Sequence, residues 1–344
     1  MEPKHLLVIR TSALGDVAMT VPVLKQLLQH YPELRLTIVT TASFMPMFER
    51  LERTEIYALE KRGKHKGFIG IYKLFRELKA MHRFDAVADL HNVLRSVILR
   101  NLFRLSGVPF AKIDKGRKEK KELTAKENKK LVRLKTSFQR YADVFNALGF
   151  SFTLNKDQPA FTRQTLPLNA TGLLAAGKKH IGIAPFARHG EKMYPVDKML
   201  AVIQQLHNNA NNQLFFFGGG KEEVKYLTEW EVQFPGVINL AGKFSFGDEL
   251  AIISNMDVMI SMDSANMHLA SLFDVPVVSV WGATHPYAGF YGWRQKPENA
   301  VQIELYCRPC SVFGNKPCYR GDHACMEQLP ESKIIEKLTD VSLR

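Results

Sequence analysis

Two short polar steps at the ends of apolar runs hold the side chains best suited to chemistry. The first is Asp263-Ser264, which follows Val258–Ile260 and precedes an amphipathic stretch, Ala265–Leu272. A strand, tight turn and helix in that order leave bare N–H groups at a helix start, where phosphate binds. Asp263 at the same place suits a sugar hydroxyl or ribose better than a phosphate, or else it caps the helix. His268 follows five residues later, either facing the same cleft or packed inside. The second step is Ser12-Ala13-Leu14-Gly15-Asp16, after Leu6–Ile9. It has one glycine where a dinucleotide fingerprint needs three, so it does not read as a nucleotide loop. Two roles are open to Asp16: a cap on the next helix, or a general base facing a cleft.

Three further sets have weaker signals. Lys192, in GIAPFARHGEKMYP, stands between a strand end and a helix, where a lysine can neutralise a diphosphate; one exposed lysine among many is the alternative. Gly218-Gly219-Gly220 precedes Glu222 and Glu223, which either hold a ribose diol or complement a helix dipole. Cys307-x-x-Cys310, Cys318 and Cys325 are clustered as in a tetrahedral zinc site, although the later loops exceed those of a paired zinc knuckle.

The elements that must position these residues alternate. Leu6–Ile9, Leu36–Val39 and Phe84–Leu90 read as strands; Val17–His30, Val93–Leu105 and Thr136–Leu148 read as helices. The pattern restarts at His180, with strands at Gln213–Phe217, Val237–Leu240, Val258–Ile260 and Val277–Val280 and helices at Val196–Asn208 and Lys221–Phe234. Such alternation predicts parallel sheets covered by helices on both faces. Irregular residues Gly149–Thr171 read as a linker, and Pro330–Leu343 as a final helix.

A chain of 344 residues with 46% apolar residues has room for two cores. Its net charge of +13 favours an acidic partner. No apolar run approaches the ~18 residues that span a bilayer. The start, MEPKHLLVIR, lacks the features of a secretory signal, so a cytoplasmic location is expected. Lys112–Lys135 is strongly basic, and its densest part, Arg117–Arg133, holds no aromatic residue. That argues against a nucleic-acid groove, which interleaves the two. It leaves a solvated face or a clamp for an anionic acceptor.

Taken together, RTSALGD, EKMYP, MDSANMHLAS, VWGATHP and the CRPC…C…C run followed by Met326 resemble glycosyltransferase family 9, the lipopolysaccharide heptosyltransferases and their relatives. The resemblance runs over nearly the whole chain. It implies an α/β GT-B fold of two Rossmann-like doubly wound domains facing across a cleft. The domains would be 1–165 for the acceptor and 166–329 for the nucleotide sugar, with helix 330–344 packing back toward the first. It implies metal-independent, inverting transfer of heptose from ADP-heptose to an anionic, lipid A/Kdo-type glycolipid, without nucleic acid. The enzyme would be peripheral, at the cytoplasmic face of the inner membrane. On this sequence Asp16 would be the base, with Arg10, Ser12 and Gly15 on the acceptor side. Lys192 would meet the diphosphate, Glu222 or Glu223 the ribose, and Asp263 the donor sugar. The amides of Ser264, Ala265 and Asn266 would cradle phosphate, and His268 matches the motif's histidine. Cys307, Cys310, Cys318 and Cys325 would hold a structural zinc, with none needed for catalysis. The family's usual Asp-Thr/Ser-Gly is Asp263-Ser264-Ala265 here, and Ala265 lacks glycine's conformational range.

Overall fold

The structure is a computed structural model that describes residues 4–342. Residues 1–3 and 343–344, the outer ends of the first and last expected segments, lie outside the described residues. The chain forms two compact units. One runs up to Lys115 and resumes over Thr136–Gln158; the other takes Gly116–Lys135 and everything from Pro159 onward. The segment Gly116–Lys135 is thus part of the second unit, which a single division at residue 165 does not anticipate.

The first unit holds β1 (His5–Ile9), α1 (Leu14–Ala18), α2 (Thr20–His30), β2 (Arg35–Thr40), β3 (Thr54–Ala58), α3 (Gly67–Met81), β4 (Ala86–Asp89), α4 (Leu94–Leu105) and β5 (Phe110–Lys112). The inserted segment carries α5 (Arg117–Leu123), and α6 (Ser137–Asn146) returns to the first unit. All pairings are parallel, in the order β3-β2-β1-β4-β5. Leu6–Ile9 of β1 are buried on both faces, which is why this strand reads as an unbroken apolar run. Helices α3 and α4 cover one face through Ile71, Leu74, Leu78, Leu99 and Phe103. The helix expected over Val17–His30 is broken at Met19 into α1 and α2, and Pro22 falls in the opening turn of α2, where its missing N–H costs nothing.

The second unit holds β6 (Lys179–Ala184), α7 (Val196–His207), β7 (Asn212–Phe216), α8 (Lys221–Gln233), β8 (Ile238–Asn239), α9 (Phe246–Ile253), β9 (Val258–Met262), α10 (Ala265–Leu272), β10 (Val277–Val280), β11 (Ala300–Val301), α11 (Ala324–Glu327) and α12 (Glu331–Ser342). Its sheet is parallel, in the order β11-β10-β9-β6-β7-β8. The terminal helix α12 packs on α7 and the sheet of its own unit, burying Ile334 and Leu338 in that core.

Each sheet reverses its strand order once: between β1 and β4 in the first unit, between β6 and β9 in the second. Open parallel sheets bind ligands outside the carboxyl ends of the strands at such a reversal. Residues singled out by their chemistry follow three of these four strands: Arg10–Asp16 after β1, Lys192 after β6, and Asp263–His268 after β9; Glu222 and Glu223 follow β7.

Candidate functional site

In the first unit the loop after β1 meets the loop after β4. Arg10 is buried and donates from Nη1 to the Leu90 carbonyl at 2.6 Å, while its Nη2 pairs with Asp16 Oδ2 at 2.7 Å. Its guanidinium also lies 5.7 Å from the Tyr141 ring centroid. Asp16 sits in the first turn of α1 and accepts from the Ala13 N–H at 3.3 Å, so it shares in capping. Its side chain nevertheless keeps 32% exposure, which leaves carboxylate surface for a ligand. Both roles open to Asp16 in the sequence are therefore compatible with one geometry.

Facing this loop is His91, which the sequence analysis missed. Its Nδ1 lies 3.0 Å from Thr11 Oγ1 and its Nε2 lies 3.4 Å from Ser12 Oγ. Burial and the charges of Arg10 and Lys115 hold its pKa down at about 3, so the ring is neutral. Asp89, fully buried at the end of β4, shapes the turn that delivers it. One oxygen accepts from the N–H groups of His91 and Asn92, and the other takes Arg100 Nη1 at 2.6 Å. Asn92 supplies the left-handed backbone that this turn requires, at φ 48°. Lys61 reaches the Thr11 carbonyl at 2.5 Å. Burial and the nearby Arg95 lower its pKa.

In the second unit Lys192, at the end of a short 3₁₀ turn, pairs with Asp263 Oδ2 at 2.9 Å. Thr284 Oγ1 donates to the same oxygen at 2.8 Å. Ser264 is the N-cap of α10, yet its side chain makes no capping bond and pairs with Ser261 Oγ at 3.1 Å. The first N–H groups of α10, from Ala265 and Asn266 onward, are thus left without a side-chain cap beside a lysine. Ser264, Ala265 and Asn266 are all partly exposed, whereas His268 is buried within α10. Lys192 and Asp263 therefore meet at the start of α10, where Ser264, Ala265 and Asn266 follow in the chain, while His268 is buried further along the helix. Glu222 is exposed on the first turn of α8; its neighbour Glu223 turns back to accept from the Gly219 N–H at 2.8 Å.

Two residues support this group from the C-terminal loops. Gly314, at φ +70°, lies so close that a Cβ there would meet Lys192 Cγ at 2.4 Å. Arg308 is buried and donates to the carbonyls of Trp281, Gly282, Ile303 and Thr284, fixing the loop that carries Thr284. Met326 packs on Gly282, where a Cβ would meet its Cε at 2.6 Å. The conspicuous feature of the CRPC step is thus the arginine between the cysteines.

The four cysteines are free thiols, and among the described residues no three His, Cys, Asp or Glu side chains are grouped so as to hold a metal ion. What orders the segment is Lys129, whose Nζ donates to the carbonyls of Cys307 and Pro309 at 2.6 and 2.9 Å. Other cations of the basic stretch lie over aromatic rings: Lys120 over Phe290, Lys126 over Tyr319 and Arg133 over Tyr287. The aromatics absent from the basic run itself come from residues far along the chain.

Known proteins share the sequence pattern and the fold. The family model described as "Glycosyltransferase family 9 (heptosyltransferase)" matches residues 71–317. Lipopolysaccharide heptosyltransferase 3 of Escherichia coli is 26% identical over 305 residues, 84% of this chain and 85% of that protein. Among solved structures, the family 9 glycosyl transferase of Veillonella parvula superposes with a TM-score of 0.77 at 21% identity, covering 100% of this chain and 98% of that one. The E. coli heptosyltransferase WaaC with ADP gives a TM-score of 0.66 at 20% identity, covering 98% and 99%. Two parallel α/β units of this topology make the GT-B fold, and with a family match over more than two thirds of its length the chain belongs to glycosyltransferase family 9, the heptosyltransferases.

Proposed function

We propose that this enzyme transfers an aldoheptose from ADP-heptose to a hydroxyl of a lipid-linked, anionic inner-core saccharide. The observation that carries the donor side is the Lys192–Asp263 pair beside the uncapped start of α10. A diphosphate leaving group gains charge as the bond to the anomeric carbon breaks. Lys192 and the α10 amides supply positive charge where it grows, so the reaction needs no divalent ion for that purpose. Asp263 then turns to the sugar hydroxyls. Glu222 and Glu223, at the start of α8, serve the ribose, Glu223 being the one already folded onto the glycine loop.

On the acceptor side Asp16 takes the proton as the acceptor oxygen attacks the anomeric carbon. A single displacement of this kind inverts the anomeric configuration. Arg10 aims the carboxylate, and Ser12 and Gly15 line the same loop. Arg95 lies near enough to act electrostatically on Lys61, and Lys61 and Lys115 on His91, and Arg95 Nε is buried without a hydrogen-bond partner. Such a cationic loop fits a phosphorylated or carboxylated acceptor and supports the reading of a peripheral enzyme at the cytoplasmic face of the inner membrane.

The test is twofold. ADP should raise the melting temperature where UDP and GDP do not, and purified enzyme should release ADP from ADP-heptose only when acceptor glycolipid is added. Stabilisation by UDP alone would refute the donor assignment.

A further inference from the structure

The first unit exposes an apolar cluster that its core does not use. Phe68, Ile69 and Tyr72, in the first two turns of α3, are 64, 84 and 45% exposed. Residues i and i+3 or i+4 share a helix face, so the three side chains make one patch. The opposite face carries Ile71, Leu74, Phe75 and Leu78 into the core. Around the patch stand Arg62, Lys64 and Lys66 in the preceding loop and Lys73, Arg76 and Lys79 further along the helix, all exposed or half-exposed. Between residues 61 and 81 the only carboxylate is Glu77. It is engaged by Tyr57, His65 and Lys64 and so offsets little of that charge outward.

This face is braced. His65 is fully buried, with Nε2 2.9 Å from Glu77 Oε2 and Nδ1 accepting from the Glu60 N–H at 3.1 Å. The loop packs so tightly that a Cβ on Gly70 would meet the His65 carbonyl carbon at 2.3 Å. The same loop extends through Lys61 to the Thr11 carbonyl, beside Asp16. An apolar helix start ringed by cations is the pattern that seats a helix in the interface of an anionic bilayer: the rings enter the acyl boundary while the lysines stay among the headgroups. A second copy of this chain suits the patch less, because it would bring two strongly basic faces together.

We infer that the start of α3 and the loop before it form a docking face for an anionic lipid surface, holding the Asp16 loop where a lipid-linked acceptor presents its hydroxyl. The functional importance of the face rests on the lipid-linked reading of the acceptor; the docking itself is measured without turnover. The experiment is sedimentation of the full chain with phosphatidylethanolamine vesicles containing phosphatidylglycerol, against neutral phosphatidylcholine vesicles. The wild-type chain should bind the anionic vesicles, less so as salt rises. Phe68→Ser/Ile69→Ser/Tyr72→Ser should weaken binding by roughly tenfold or more, whereas Val232→Ser, equally exposed on α8, should not. Ile69→Asp alone, at a side chain too exposed to matter to the core, decides the matter if the triple variant fails to fold. No binding by the wild-type chain, or binding by a folded patch variant equal to wild type, overturns the inference. An oligomer dissolved by the same variants in the absence of vesicle binding overturns it in favour of self-association. Vesicle binding through the patch without any stabilisation by ADP upholds the docking face and defeats the donor reading instead.

Discussion

Asp16 carries the sharpest expectation, because one carboxylate is asked both to cap and to take a proton. Asp16→Asn keeps the shape and the contact with the Ala13 N–H, so it should fold normally and bind ADP as wild type does. Turnover should fall by roughly 10²–10⁴-fold, the usual worth of a positioned base; equal loss of ADP affinity, read by calorimetry, would refute the assignment. Lys192→Met removes charge while keeping length. It should weaken ADP binding by about 2 kcal/mol, roughly thirtyfold, since it also strands Asp263 beside the ligand. His91 gives a pH signature. Its pKa is about 3 when folded and near 6.5 in an unfolded chain, so below pH 6.5 the unfolded state binds the extra proton. Stability is therefore lost as pH falls from 6.5 toward 3, by about 2 kcal/mol at pH 5 relative to neutral. His285, held down to about 4, acts in the same direction. His91→Gln should flatten the fall in melting temperature between pH 7 and 5. An unchanged slope would show that the ring protonates without unfolding.

Among the elements, the loop from Cys307 to Met326 is tied down by an arginine and a lysine that its cysteine spacing did not announce. Cysteine spacing pointed to zinc, yet the bonds run through Arg308 to four carbonyls and through Lys129 to two more. Charged donors to buried carbonyls are worth roughly 1.5–3 kcal/mol each, and removing one leaves its acceptors unsatisfied. Arg308→Met should lower the melting temperature by several degrees and slacken Thr284 against Asp263. Cys310→Ser, and incubation with a chelator, should change it little. A chelator that melts the protein would restore the metal. α10 and β10 were legible residue for residue, because a short buried helix between two buried strands follows the polar step at Asp263. α3 was not read, because it opens on Gly67, contains Gly70 and has no side-chain cap at Lys66, although Ile71, Leu74, Phe75 and Leu78 do keep helical spacing. β3, β5 and β11 are too short or too partially buried to show a period.

At the level of the whole molecule, the alternation of apolar runs and amphipathic stretches was enough to reach two doubly wound sheets, since strands buried on both faces must be apolar throughout. The reversal of strand order was not readable, because it depends on which strands pair. With it went His91, a loop residue in the sequence that touches Thr11 eighty positions away. The packing of the basic stretch was hidden for the same reason: its aromatic partners Tyr287, Phe290 and Tyr319 lie more than 150 residues further on. The path of Gly116–Lys135 has a practical bearing on dissecting the enzyme. The polypeptide enters its second unit early, leaves, and only later comes back to finish it, so no single cut yields two whole halves. A fragment begun at Pro159 would lack the strap whose Lys129 ties down Cys307 and whose Lys120 shields Phe290, and would expose what they cover. Recombinant work on the second unit alone calls for a rearranged gene that stitches residues 116–135 back on.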